Sequence, residues 1–466
     1  MLFNSLHFLI FLPIVWILFQ YAGRYKFFIL LLASFYFYMA WNYYFILLIL
    51  FSIFIDYFAA LSISKLDKSN PKRKLYLFLS LIVNLGFLGF FKYTNFFLGI
   101  WNDLNISGFK FPLYDIILPV GISFYTFQSM SYTIDVYRGI EPVRKSILDF
   151  ALYVSFFPQL VAGPIVRAHT FFRDLENLLP VDREVFRHSF SQILLGFTKK
   201  VVFADNLAIT VDAVFNNPSI SGSLEIWIAV YAFMWQIYFD FSGYTDIAIG
   251  VARLFGFQFD ANFYFPFNVS SISEHWSRWH LSFTTWIRDY IYIPLGGSRG
   301  SDWMISRNIF ITFLFGGIWH GASYHFVVWG VYHSFMLIVE RFYAKTKLRE
   351  WFNQKGGLPY MIFCRIFTLF SLGLGLPLFR ANTMEDASLL LGKMFQFGNF
   401  SSEPIRNFNY FKLIVLLFIT AQIFEKYKIK QMLKSKLSFT IFILVNFFLL
   451  LCYGVGEAKN FIYFAF

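Results

Sequence analysis

The chain predicts an all-α polytopic integral membrane protein, and three observations carry that prediction. Of its 466 residues, 58% are hydrophobic and 14% charged, where soluble domains carry about a quarter charged; the mean hydropathy is +0.57. Apolar runs recur along the whole length with short polar connections, so residues 1–466 read as a single membrane-embedded domain. Lys and Arg fall mostly in the short loops between those runs, as topology determinants do.

The same distribution explains the net charge of +12 without nucleic acid, because the cations do not collect on one solvated face. They suit topology and anionic lipid, and the bilayer is the expected partner. The aromatic fraction of 23%, including 67 Phe, exceeds what interfacial belts require and points to aromatic packing between helices. Cys364 and Cys452 both lie in apolar runs, which argues against a disulfide or a zinc cluster.

Taken in order, residues 1–23 hold an apolar run with no Lys or Arg before Arg24. The basic n-region of a cleavable signal peptide is missing, so a retained first span is expected. Spans follow near Phe27–Ala40, Phe45–Ile63 and Leu75–Phe91, several of them short for the roughly 20 residues a perpendicular helix needs. Ile116–Tyr132, interrupted by Pro119 and Gly121, and Phe150–Val166, interrupted by Pro158, Gly163 and Pro164, predict discontinuous or re-entrant helices. Val185–Phe203 and Thr383–Phe397 read as amphipathic surface helices, Leu224–Phe241 as a further span and Leu437–Tyr453 as the last. The total is roughly ten to twelve transmembrane helices by the 20-residue criterion.

Orientation follows from the cations. Arg24 and Lys26, Lys65 to Lys74, Arg341 to Arg349 and Lys426 to Lys436 mark cytoplasmic loops, which places both termini outside.

The segment from Asp240 to Arg299 is dense in polar residues set among aromatics: Asp240, Asp246, Glu274, Arg278, His280, Arg288 and Asp289. Such a wall suits a polar cavity in the membrane interior, and structural ion pairing is the competing reading. His320 stands apart. It closes the apolar stretch FITFLFGGIWHG, Phe310–Gly321, just after the close-packing pair Gly316 and Gly317, with no carboxylate in its immediate sequence. An ionisable group at membrane depth needs a reason to be there. Imidazole can take and give a proton near neutrality, as acyl transfer from a thioester to a hydroxyl requires. A core histidine bonded to a backbone carbonyl is the alternative.

The motifs LPVGISFYTFQSMSYTIDVYRG, FFPQLVAGPIVR, YFDFSGYTDIAIG, SRWHLSFTTWIRDYIYIPLGGSR and GGIWHGASYHFVVWG resemble the membrane-bound O-acyltransferase family. Within it, the likeness is to the bacterial alginate and peptidoglycan O-acetylation membrane proteins, and it runs over nearly the whole chain. The resemblance implies a fold around a central pore and makes His320 the match to the family's pore histidine. His280 matches a second family histidine, with a role in binding or orienting the donor, or in packing. His275 and His325 receive no role. His320, His325 and His333 lack the i, i+4 spacing of helical zinc sites, so no metal is expected.

The resemblance also implies that the aromatic tail FIYFAF, Phe461–Phe466, folds back into the extracytoplasmic funnel. Tyr463 would then relay the acyl group as a tyrosyl ester; an interfacial anchor is the alternative. With no G-x-S-x-G elbow, P-loop or dinucleotide fingerprint, the chain is not expected to make its own activated donor; the resemblance implies cytoplasmic acetyl-CoA as the donor, with no cofactor tightly bound. The resemblance further implies an extracytoplasmic SGNH esterase-like partner that completes transfer to a polysaccharide, with peptidoglycan preferred over alginate or another exopolysaccharide. The expected location is the bacterial inner membrane. Two rival readings are a D-alanyl transferase fed by a carrier protein and a transporter or flippase with His320 as proton relay.

Overall fold

A computed structural model describes residues 1–104, 108–161, 163–396, 409, 412–413, 415–420, 435–455 and 461–462. They group into two compact units, one of residues 1–197 and 244–260, the other of residues 198–243 and 261–462.

The first unit is built from α1 (Leu6–Tyr21), α2 (Lys26–Met39), α3 (Ile46–Ser64), α4 (Lys72–Leu88), α5 (Thr94–Leu104), α6 (Ile122–Arg138), α7 (Ile147–Ser155), α8 (Phe157–Leu160), α9 (Ala168–Glu176) and α10 (Arg183–Phe197). Helix starts follow local chemistry. Ser5 and Ser146 accept the N–H groups of Phe8 and Asp149, the ordinary N-cap bonds. The break expected before α6 falls at Gly121, whose φ is +77°, and a Cβ there would lie 2.6 Å from the Leu160 carbonyl oxygen. Glycine is required on both counts. The interruption expected within 150–166 falls at Phe156, where ψ turns to 112° and α8 restarts with Pro158 in its first turn.

Aromatic side chains fill this unit's core. Phe3 and Phe8 lie 4.6 Å apart between ring centroids, and Phe37 and Phe157 5.5 Å apart. Its polar centre is Asp56 on α3. Asn84 on α4 donates to both carboxylate oxygens, at 2.9 and 3.0 Å, and the Ser80 and Ser129 hydroxyls donate as well. Ser52 donates to the Asn84 side-chain oxygen at 2.6 Å, so α3, α4 and α6 are joined by hydrogen bonds buried between helices.

The second unit opens with a π-helical turn, Thr198–Ala204, followed by α11 (Asp205–Phe215) and α12 (Ser223–Leu254). Then come α13 (Ile272–Trp276), α14 (Leu281–Ile287), α15 (Asp302–His320), α16 (Tyr324–Tyr343), α17 (Lys347–Lys355), α18 (Gly357–Arg380), α19 (Met384–Lys393) and α20 (Lys436–Tyr453). The segment predicted as one surface helix, Val185–Phe203, is therefore α10 plus a π turn. The span predicted at Leu224–Phe241 is part of a helix of 32 residues that continues through DFSGYTD; its residues to 243 count with the second unit and the rest with the first.

Four described helical segments are long and apolar enough to cross a membrane: Tyr43–Ser64, Lys72–Leu104, Gly357–Arg380 and Lys436–Tyr453. Leu6–Tyr21 is apolar but shorter. The expected ten to twelve are not reached by this criterion among the described residues, and the reason is visible in the other long helices. Helix α6 buries Gln128, Ser129, Ser131 and Thr133, and α12 buries Gln236 and Asp240, polar groups that lower the hydropathy of otherwise membrane-length segments.

Candidate active site

His320 is the last residue of α15, because Gly321 leaves the helix in an extended conformation. The approach of α16 to α15 is set by two glycines. A Cβ on Gly317 would lie 2.4 Å from the Phe326 carbonyl oxygen, and one on Gly330 2.5 Å from that of Phe313. Gly316 tolerates a Cβ, which would meet Phe283 at 3.9 Å; of the pair singled out in the sequence, Gly317 makes the close contact. One turn beyond it the His320 ring, 4% exposed, sits among Trp319, Phe379, Trp329 and Phe283 at centroid distances of 4.9, 5.0, 5.1 and 5.8 Å.

His280 contacts two of the same rings. Its ring lies tilted at 5.2 Å from Phe283 and 6.1 Å from Trp319 and edge-on at 4.6 Å from Phe241, while Phe283 and Trp319 stack on each other at 4.2 Å. The two histidines that the sequence singled out are thus neighbours of one aromatic pair. His280 caps α14 from the left-handed region, with φ 45° and ψ 53°. This conformation is unfavourable for a side chain with a Cβ and concentrates at functional sites. Asn262 holds the turn. Its side-chain oxygen accepts the Ser282 N–H at 3.0 Å and its carbonyl accepts the Leu281 N–H at 2.9 Å, filling the cap role that the His280 side chain leaves. Sequence reasoning did not single out Asn262; an Asn 18 residues before His280 carries no local signal.

Tyr463 lies outside the described residues. The two residues before it are described: Phe461 is 2% exposed with its ring 5.5 Å from Phe241, and the Ile462 N–H donates to Asp240 at 2.8 Å. Asp240 also accepts from Lys200 at 2.6 Å, and Lys200 donates to Asp205 at 2.9 Å, an ion-paired triad buried within the second unit. Phe241 therefore contacts both His280 and Phe461.

The remaining charges of the polar segment are largely paired. Glu274 bridges to Arg278 at 2.8 Å and Arg288 to Asp289 at 2.8 Å. In the first unit Asp246 accepts from Gln192 at 3.0 Å. These contacts support ion pairing for Asp240, Glu274, Arg278, Arg288 and Asp289 over a bare polar wall. Among the other histidines, His275 bonds the Pro266 carbonyl at 2.8 Å and His325 the Leu378 carbonyl at 2.9 Å, both hydrogen bonds to backbone. His333 packs on Trp329 and Trp276 at 4.6 and 5.3 Å. Among the described residues no group of three or more His, Cys, Asp or Glu could hold a metal ion.

An imidazole enclosed by aromatic rings can move a proton where bulk water is largely excluded, which also protects a reactive ester from hydrolysis. Comparison with known proteins points the same way. The model of the family described as "MBOAT, membrane-bound O-acyltransferase family" matches residues 140–378, a stretch that holds both histidines and the rings of Phe241, Phe283, Trp319 and Trp329. A protein of Pseudomonas aeruginosa named "Probable alginate O-acetylase" is 39% identical over 420 residues, 88% of this chain and 78% of the relative. A peptidoglycan O-acetyltransferase of Helicobacter pylori is 36% identical over 392 residues, 78% of this chain and 73% of the relative. A teichoic acid D-alanyltransferase of Bacillus subtilis is 27% identical over 264 residues, 54% of this chain and 66% of the relative.

Proposed function

Because the chain belongs to the membrane-bound O-acyltransferase family, we propose that it takes an acetyl group from cytoplasmic acetyl-CoA and passes it across the bacterial inner membrane for O-acetylation of an extracytoplasmic polysaccharide. His320 is the base. It takes the proton of an attacking hydroxyl as the new acyl C–O bond forms and the C–S bond of the thioester breaks, and the proton then goes to the departing thiolate. His280 orients the donor. Tyr463 supplies the phenol that carries the acyl group as an ester, and an SGNH esterase-like partner transfers it onward to the sugar hydroxyl. The positive-inside distribution supports termini on the outer face, where such a handover would occur.

The observation that carries this reading is the placement of His320 and His280 against one stacked pair, Phe283 and Trp319, inside the stretch that matches the family. Peptidoglycan is the first acceptor to test. The relatives named for alginate and for peptidoglycan stand at 39% and 36% identity, which does not separate the two polymers. Identity to the D-alanyltransferase is lower, over about half of the chain.

The test measures base-labile acetate on purified wall and exported polysaccharides from cells carrying the wild type or His320→Ala, with membrane levels matched. Loss of acetate from one polymer in the variant identifies the acceptor. Unchanged acetate on every fraction would sink acetyl transfer and leave D-alanyl ester and transport assays as the next measurements.

A further inference from the structure

A buried polar group without a partner is costly, and each one in a folded protein calls for an explanation. Asn262 is 1% exposed, and the two ends of its carboxamide are used differently. Oδ1 accepts the Ser282 N–H at 3.0 Å, which settles the orientation of the group, since only the oxygen can accept. Nδ2 then carries two N–H donors and has no hydrogen-bond partner among the described residues. The Ser282 hydroxyl, on the residue that orients the carboxamide, is also buried without a partner among them. Two unused polar groups on one turn suit a polar guest better than an isolated packing fault.

The mounting of the carboxamide is firm. Asn262 and Tyr264 run beside the turn and hold it at both ends, the Asn262 carbonyl accepting the Leu281 N–H at 2.9 Å and the Tyr264 N–H donating to the Arg278 carbonyl at 3.0 Å. His280 lies between those attachments, in the left-handed conformation that its surroundings impose. Its ring contacts Phe283, which also contacts His320. A cap needs only the oxygen, which Asp, Ser or Thr would supply as well. Among these, Asn is the one that joins the acceptor to a neutral N–H₂ group of fixed direction.

We propose that the Asn262 Nδ2–H group donates to the carbonyl oxygen of the acyl thioester and stabilises the oxyanion that forms there, which makes Asn262 a further catalytic residue. The assignment rests on the acyltransferase reading of the site. As the hydroxyl oxygen attacks and His320 takes its proton, the π electron pair of the carbonyl moves onto oxygen and the N–H holds it. On collapse the pair returns, the C–S bond breaks and the thiolate receives the proton from His320. A donor already aimed at the developing charge, in a site closed to water, does this without reorganising.

The test uses the full chain in lipid nanodiscs. Acetyl-CoA labelled with carbon-13 at the thioester carbonyl is bound to the His320→Ala protein, which prevents turnover, and its carbonyl stretch is read by isotope-edited infrared spectroscopy. Acetyl transfer to the acceptor polymer and partner is measured with His320 intact. Asn262→Asp keeps an acceptor for the Ser282 N–H and loses the N–H₂ donor, whereas Asn262→Ala loses both. With Asn262 present, the band is expected below that of S-ethyl thioacetate in hexane, and it should move up towards that reference in both variants. In both, kcat falls about a hundred- to a thousandfold while KM for acetyl-CoA stays within about twofold. Wild-type kcat in Asn262→Asp would show that the residue is only a cap and overturn the catalytic role. A band at the reference position with Asn262 present would overturn it too, even if neither variant folds. A wild type that transfers no acetyl group would overturn the acyltransferase reading and this role with it.

Discussion

Asp56 in the first unit and Asp240 in the second are both almost completely buried, at 0% and 1% exposure, and are satisfied in opposite ways. Asp56 accepts from neutral donors, two serine hydroxyls and one carboxamide, all on helices that it thereby joins. Asp240 is paired with a lysine and bonds the backbone of a tail segment that belongs to no long helix. A network of neutral donors within a helix bundle fixes packing by joining the helices that carry them. A cation brought in to hold a carboxylate against a backbone N–H adds desolvation that packing alone does not require. The difference teaches where to look for function: Asp56 organises a core, and Asp240 organises a contact near the candidate active site.

The sharpest way to break this comparison is Lys200→Met, which leaves Asp205 and Asp240 buried without their cation. A loss of about 3 to 5 kcal/mol is expected, read as a fall in unfolding temperature and membrane yield. A loss of the size expected for Asp56→Asn would put the two clusters in one class. Gly317→Ala comes next. Its Cβ would meet the Phe326 carbonyl at 2.4 Å and force α15 from α16, so acetyl transfer is expected to fall about a hundredfold through displacement of His320, with folded protein still recovered from membranes.

Asp56→Asn should cost about 1 to 3 kcal/mol, because the new N–H₂ group faces donors instead of acceptors. It should leave acetyl transfer per folded molecule unchanged, and a fall there would show that the cluster does more than fix packing. Ser52→Ala is expected to have the smallest effect, about 0.6 kcal/mol, the average found for hydrogen bonds between membrane helices. Thermal unfolding with activity measured in parallel checks it, and turnover per folded molecule should not change.

How much of this could be read from the chain alone depends on the range over which each signal acts. Composition set the membrane class, since a chain with 58% hydrophobic residues has no water-soluble way to bury them. Steric rules acting over a few residues located the interruptions at Gly121 and near Pro158, and placed His320 at the end of a helix beside a glycine that allows close packing. The span count was less legible, because buried polar side chains in α6 and α12 lower the apolar signal that the count relies on.

What the tertiary structure decided is pairing. The bonds from Lys200 to Asp240 and from Ile462 to Asp240 link residues 40 and 222 positions apart, and Asn262 supports the His280 turn from 18 residues away. No local preference encodes such partners. A carboxylate in an apolar chain announces that it needs a donor, because leaving it without one is costly; which donor reaches it is settled when the helices pack.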